Sequence, residues 1–435
     1  MYRRKGAGER RSLSSFSSAP FSSAPLLGFS SAGKLSVMSG NVVNRAGLEL
    51  PRTHYDRVVL GGGLLGLAAA FYLRRFEPDA SLLIIEQGGI PSESGATFVS
   101  PAVAHAFFED DELQKRAAWT LGTLADLSTE TGVERPNDVP FRQVGVLRLA
   151  RESGADTQPT RDLLETFPPK QVEALGELVT LDEFPHARWA AQAGYGSAEA
   201  AALHYGYGAV RHGADLLLNA RAHPLNEREL RLERLEFDRQ MRHRVVKTER
   251  ITADAVVVAA GAETPALVEE ALGALLPYRR RYAQYPRIEA DARLPLEGGR
   301  VSLPVVQADS FTLRPQGEGL LVVPPSLSPD PDGYTPTGAR LLGVRVGVRR
   351  EVLDALLADA DALPFVNWES LNLGKTVQKV RGAWEVVPPD GVPEWRQVGE
   401  SWHTLVGGRR GFSLGLAAAY DLAATLTRHD TRPWN

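Results

Sequence analysis

Between Arg57 and Glu86 the chain spells out one supersecondary unit almost in full. A short apolar strand, Arg57-Val-Val-Leu, runs into Gly61-Gly-Gly63-Leu-Leu-Gly66 and then an apolar helix. A second apolar strand, Leu82-Leu-Ile-Ile, ends on Glu86, 20 residues after the last of those glycines. Each part has a physical job in holding a dinucleotide. Gly61 permits the tight turn, Gly63 lets a pyrophosphate approach the backbone, and Gly66 lets helix and strand pack closely. The N–H groups that open the helix, at Leu64 and Leu65, have no intrahelical partner and face the phosphates. Glu86, followed by Gln87, accepts from a ribose diol and repels a 2′-phosphate. The unit therefore suits the adenosine half of FAD or NAD and disfavours NADP. A glycine-rich turn alone says little; the strands, helix and acid around it carry the argument.

The 435 residues are enough for two or three domains. A net charge of −4 gives no reason to expect a nucleic-acid partner. No segment reaches the roughly 18 uninterrupted apolar residues of a membrane span. Cysteine is absent, which removes disulfides, thiolate metal sites and catalytic thiols. No His pair or His/carboxylate pair has helical metal-ligand spacing, so no metal is expected. The start of the chain is different in kind. Phe-Ser-Ser-Ala begins at Phe16, Phe21 and Phe29, and Glu9 is the only acid before Met38. Such a tract cannot bury enough apolar surface to order itself, so residues 1–50 are expected to be a disordered tail, with the fold starting near Tyr55. Residues 1–37 have the bias of an organelle transit peptide. Initiation at Met38 explains them as well and is adopted here, with a cytoplasmic location.

Further along, Ser94-Gly95-Ala96-Thr97 forms a loop of small and hydroxyl residues. Phe141–Ala150 alternates like a strand, and residues 161–178 read as helical around Pro168-Pro169. Ser197–His212 reads as a helix and Glu229–Phe237 as a hairpin arm. Ala253–Ala260 is a buried β-branched strand ending at Gly261, with a helix opened by Thr264-Pro265. From Tyr278 to Pro325 several strand-like runs predict an antiparallel sheet; residues 326–337 read as a loop and 341–348 as a strand. The tail carries Pro389-Asp390-Gly391-Val-Pro393, a strand Trp402–Val406, then Gly407-Gly-Arg-Arg-Gly411-Phe412 and a last helix.

The glycine turn with its acid, the mid-chain Val-Val-Val-Ala-Ala-Gly and the C-terminal Pro-Asp-Gly-x-Pro with its Gly-rich turn together resemble the FAD-dependent oxidoreductases of the D-amino-acid oxidase, glycine oxidase and sarcosine oxidase superfamily. The resemblance implies an α/β chain in which a discontinuous Rossmann-like FAD-binding domain carries a substrate domain of antiparallel sheet with helices. The FAD part is expected over 55–110, 195–270 and 378–435, and the substrate part over 111–194 and 271–377. The cofactor implied is non-covalent FAD. Gly61, Gly63, Leu64, Leu65 and Gly66 are to hold the pyrophosphate, Glu86 and Gln87 the ribose, and Ser94, Gly95, Ala96 and Thr97 the ribityl and flavin edge. Gly261 is to lie at the adenine half, with Gly408, Arg409, Arg410, Gly411 and Phe412 over the flavin ring. A helix N-terminus there would place positive charge where reduced flavin becomes anionic.

One departure matters. Members that oxidise amino acids usually carry an arginine a few residues before Pro-Asp-Gly, to grip the substrate carboxylate. Here Glu385 holds that place, and if it faces the site a cationic substrate gains weight. Arg409, Arg410 and Arg381 are the remaining candidates for a carboxylate, and Tyr282 and Tyr285 border the expected substrate position. His105 and His403 read as structural, and no catalytic base is nominated. The expected activity is oxidation of the C–N bond of a small amine or amino acid by hydride transfer to flavin N5. The alternative is an FAD-dependent dehydrogenase subunit that oxidises another small molecule and passes electrons to a protein or quinone.

Overall fold

His54–Leu60 has the composition of a strand covered on both faces, and it lies at the middle of the largest sheet. In the computed structural model it pairs in parallel with Leu82–Ile85 on one side and with the end of the long strand His243–Val258 on the other. Leu82–Ile85 pairs with Asp215–Leu217, and that strand with Val42–Val43, both in parallel. Beyond the mid-chain strand come Trp402–Val406, parallel, and Glu394–Gln397, antiparallel. The same sheet continues where the first part of His243–Val258 pairs antiparallel with Glu229–Phe237, which pairs in turn with Ala220–Pro224. The described residues are 40–135, 140–154, 156–238, 243–289, 303–316, 319–325, 330, 349–364 and 382–435, all within the unit Val37–Asn435.

Helices Leu64–Phe76, Ala198–Arg211 and Gly411–Leu426 share one apolar core against this sheet. Their small residues let them approach closely. A Cβ on Gly208 would lie 2.9 Å from the Phe71 ring, and one on Gly415 would lie 2.5 Å from Leu65 Cδ2. The first helix is thus wedged between the middle and the end of the chain. The last helix is alanine-rich because it packs there, and no described helix is long and apolar enough to cross a membrane.

The second large sheet runs in the order Arg287–Glu289, Gly319–Val323, Thr312–Gln316, Val305–Gln307, Val146–Ala150, His186–Ala190, Gln158–Pro159. Its pairings are antiparallel except for Val305–Gln307 with Val146–Ala150, where the two inserted stretches meet. Helices Pro169–Leu178 and Arg350–Leu357 cover it with Leu175, Leu178, Val352 and Leu356. A separate two-stranded ribbon, Arg279–Gln284 with Gly382–Val387, connects the two halves. The loop expected over 326–337 lies outside the described residues apart from Asp330, as does the strand expected over 341–348.

Two expectations need correction. The chain is ordered before Tyr55: Val42–Val43 is a sheet strand, and Asp215 Oδ1 accepts from the Asn41 backbone and amide nitrogens at 2.9 and 2.8 Å. Arg234, 1% exposed, donates to the Arg45 carbonyl and to Glu249. Long-range polar contacts order a segment whose own composition would not. Residues 1–39 lie outside the described set. Asp215→Ala should therefore weaken folding by about 1–3 kcal/mol and open residues 40–48 to limited proteolysis, as urea titration and digestion would show. The second correction concerns Phe141–Ala150, which is not one strand. It breaks at Gly145, whose φ is +79° and whose missing side chain makes room for the Trp189 ring.

Candidate active site

The parallel strands end along one edge, the place where open α/β sheets bind ligands. There the chain turns as tightly as backbone allows. Gly61 has φ +117°, and a Cβ on it would lie 2.4 Å from the Ala259 carbonyl oxygen; one on Gly66 would lie 2.1 Å from the Gly61 oxygen. Gly63 caps the first helix without a side chain, and Thr97 Oγ1 accepts from the Leu64 N–H at 3.0 Å. Thr97 therefore lies over that helix end, inside a short helix, Ala96–Val99, that follows Ser94 and Gly95 directly. Glu86 accepts from the N–H groups of Gly62 and Gly88 at 2.7 and 2.8 Å. Burial pushes its carboxyl up, against the pull of those N–H groups. Gln87 beside it is exposed.

The middle and last stretches reach the same edge. Gly261, φ +57°, opens a 3₁₀ turn directly after the mid-chain strand, with nothing within 4 Å of its Cβ position. Gly408–Arg410 is a second 3₁₀ turn, and the last helix begins at Gly411, where the Cβ position is also open. Phe412 is buried, and Leu65 of the first helix fills the space left by Gly407 and Gly415. Helix-terminal N–H groups, a strand-end carboxylate and open volume beside two glycines make a cradle that fits a dinucleotide.

Beside the last turn lies a small, half-open pocket lined by Arg281 to Gln284 of the ribbon, by Tyr285 just beyond it, and by Pro324, Pro325, Val352 and Arg409. Arg409 is exposed along part of its side chain, but its guanidinium donates to the Pro324 carbonyl at 2.7 Å; desolvation of that group pulls its pKa down, and the charges of Arg281 and Arg410 add to that. Tyr285 donates to Glu385 Oε1 at 2.5 Å, and burial together with that carboxylate pushes its phenol well up. Ala283 and Tyr285 pack with Leu321 and Val323 against Val99, which ends the small-residue loop. The pocket is thereby tied to the cradle.

Arg410 points elsewhere, its guanidinium 5.4 Å from the centre of the Phe108 ring. His105 stacks on Phe107 and Phe108, and its Nδ1 accepts from the Phe107 N–H at 3.2 Å, which leaves the neutral ring's proton on Nε2. Burial, with Arg148 and Arg410 nearby, lowers its pKa to about 4. An unfolded chain takes up a proton here below about pH 6.5, whereas the folded chain resists until about 4. Stability should therefore fall as pH drops through that window, by up to about 1.4 kcal/mol per pH unit from this group. Urea titrations of His105→Gln across that range should give a flatter profile than the parent.

The family model described as "FAD dependent oxidoreductase" (DAO) matches residues 56–425. The chain belongs to this family. As a DAO-family protein it is an FAD-dependent oxidoreductase, and its cofactor is FAD. Its fold is similar to that of glycine oxidase from Geobacillus kaustophilus, at TM-score 0.62 and 20% identity, covering 87% of this chain and 96% of that one. It is also similar to L-proline dehydrogenase from P. horikoshii, at TM-score 0.63 and 19% identity over 88% and 96%. At such identities the likeness is one of fold. The mouse (Mus musculus) protein "FAD-dependent oxidoreductase domain-containing protein 1" is 29% identical over 114 residues, 25% of this chain and 23% of that protein. That match spans less than a quarter of the mouse protein's length.

Of the five residues singled out for substrate in this DAO-family chain, the pocket brings together Arg409, Tyr282 and Tyr285. Arg410 is not among its described lining, and Arg381 lies outside the described residues. Glu385, the acid that raised the prospect of a cationic substrate, is not among the described lining residues either, and both its oxygens are engaged within the protein. Arg281 and Gln284 line the pocket and were not foreseen. The available signal was that Arg281 falls opposite Glu385 once 279–284 and 382–387 pair. At the opposite edge of the sheet, His54, Asp56 and Asp254 place ligand-type atoms within 4.8 Å of one another, with His54 Nε2 3.7 Å from Asp254 Oδ2.

Proposed function

We propose that this enzyme oxidises the C–N bond of a small amino acid or related amine that carries a carboxylate. FAD, when bound, supplies the acceptor for a hydride from the substrate carbon, through its N5. The residues do the holding and the orienting. Gly61, Gly63, Leu64, Leu65 and Gly66 present backbone to the pyrophosphate, Glu86 and Gln87 meet the adenosine ribose, and Ser94 to Thr97 follow the ribityl chain. Gly261 leaves room for the adenine half, and the turn Gly408–Phe412 directs the last helix's N-terminus at the flavin ring. Arg409 takes the substrate carboxylate, with Tyr285 and Tyr282 as the neighbouring wall. A planar fork of N–H donors suits that task.

The single observation that supports this reading most is the double membership of Arg409. It belongs to the turn that opens the last helix and also to the wall of the pocket, so one residue ties the cofactor end to that recess. The test is anaerobic. Glycine, sarcosine, proline and a panel of D- and L-amino acids are added to the coloured protein, with polyamines as cationic controls. At least one carboxylate-bearing amine should bleach the flavin. A coloured protein bleached by none of them contradicts the C–N reading. Re-admitting air with peroxide detection, in parallel with a dye acceptor, then separates an oxidase from a dehydrogenase that hands electrons to a partner.

A further inference from the structure

Glu385 is the charged group that the proposed reaction leaves without a task. It faces Arg281 across the antiparallel ribbon, with Oε2 2.7 Å from the guanidinium and each side chain only 8% exposed. Oε1 takes the Tyr285 hydroxyl at 2.5 Å. A carboxylate moved from water to such a place needs this kind of enclosure by partners. The partners, unlike the acid, reach the pocket. Its described lining includes Arg281, Tyr285, Gln284 and Arg409, and no acid.

We propose that Glu385 is a positioning residue that sets the charge of the ligand. It fixes Arg281 and Tyr285 as one wall of the pocket, and its negative charge offsets that of Arg281 from behind. The pocket then accepts a ligand with one carboxylate and discriminates against a ligand with two. The proposal rests on the functional reading above, which makes this the substrate pocket. It reverses the simplest inference from sequence, in which an acid at position 385 would attract a cation.

The charge argument predicts a ratio, which a general loosening of the pocket does not move. In Glu385→Gln the side chain keeps its size and can still accept from Arg281 and meet Tyr285, but one negative charge is gone. At an effective dielectric of about 20 and a separation of about 10 Å, one charge is worth roughly tenfold or slightly more in affinity. A dianion feels that change twice and a monoanion once.

The experiment titrates full-length, FAD-loaded protein with acetate, malonate and butane-1,4-diamine at fixed pH and ionic strength, following the flavin's visible spectrum. With the parent protein, acetate should perturb the spectrum, malonate should bind more weakly, and the diamine should have no effect. Glu385→Gln should raise the malonate-to-acetate affinity ratio by roughly tenfold, and Glu385→Asp, which keeps the charge, should leave it near the parent value. An unchanged ratio in Glu385→Gln, or parallel loss of both ligands, overturns the proposal. So does a parent spectrum that responds to the diamine and not to carboxylates, a result that needs no variant to fold. A preparation that holds no FAD would instead overturn the functional reading itself.

Discussion

Gly66→Ala should yield a protein that purifies without flavin colour. The added methyl would sit 2.1 Å from the Gly61 carbonyl oxygen and 3.2 Å from Ala259 Cβ. The closer obstacle is backbone and cannot rotate away, so the turn and the first helix must separate. Overpacking of this kind weakens folding by about 1–3 kcal/mol. The larger effect falls on the cofactor, because the helix-terminal N–H groups lose their aim, and a displacement of about 1 Å in such a site is worth roughly a hundredfold. FAD retention on gel filtration and an FAD titration of the stripped protein measure this directly. Gly122→Ala is the control: nothing lies within 4 Å of that Cβ, which belongs to helix Asp111–Ala125. It should stay coloured and gain about 0.5–1 kcal/mol from reduced chain entropy. A coloured Gly66→Ala protein with the parent's FAD affinity would show that the turn does not set the cofactor's position.

Arg281→Met is expected to be the most damaging single change in the substrate half. It keeps most of the side chain's length but leaves Glu385 buried with only the Tyr285 hydroxyl among the partners described for it. Breaking a buried pair from one side typically weakens folding by about 3–5 kcal/mol, because the remaining charge keeps its desolvation penalty. Removing both charges avoids that penalty. The double variant Arg281→Met/Glu385→Leu should recover most of the lost stability. Urea midpoints for the parent, the single variants and the double variant form the cycle that isolates the coupling. Equal instability in the single and double variants would mean that shape, not charge, holds the ribbon together.

The parts of this enzyme that could be read from sequence are those whose chemistry is local. The first glycine turn, the strand ending at Gly261 and the turn Gly407–Gly411 each state their conformation within a few residues, and they fall on one sheet edge. Val42–Val43 was invisible because a two-residue strand has no pattern of its own; Asp215 and Arg234, far along the chain, order it. The Arg281–Glu385 pair was hidden for a related reason. Arg279-Arg-Arg reads as a solvated face until the strand's register sends the third arginine inward opposite an acid more than 100 residues away. Choosing between Arg409 and Arg410 likewise depends on a 3₁₀ turn, which directs one toward Pro324 and the other over Phe108.

The central claim is that three distant stretches of this chain hold one FAD along the carboxyl edge of its parallel sheet. Amide hydrogen exchange with and without FAD tests it most directly. Saturating cofactor should slow exchange together in residues 61–66, 86–97, 261–264 and 407–412, while the sheet around 305–323 changes little. Protection confined to one of those stretches, or located in the second sheet, would contradict the account.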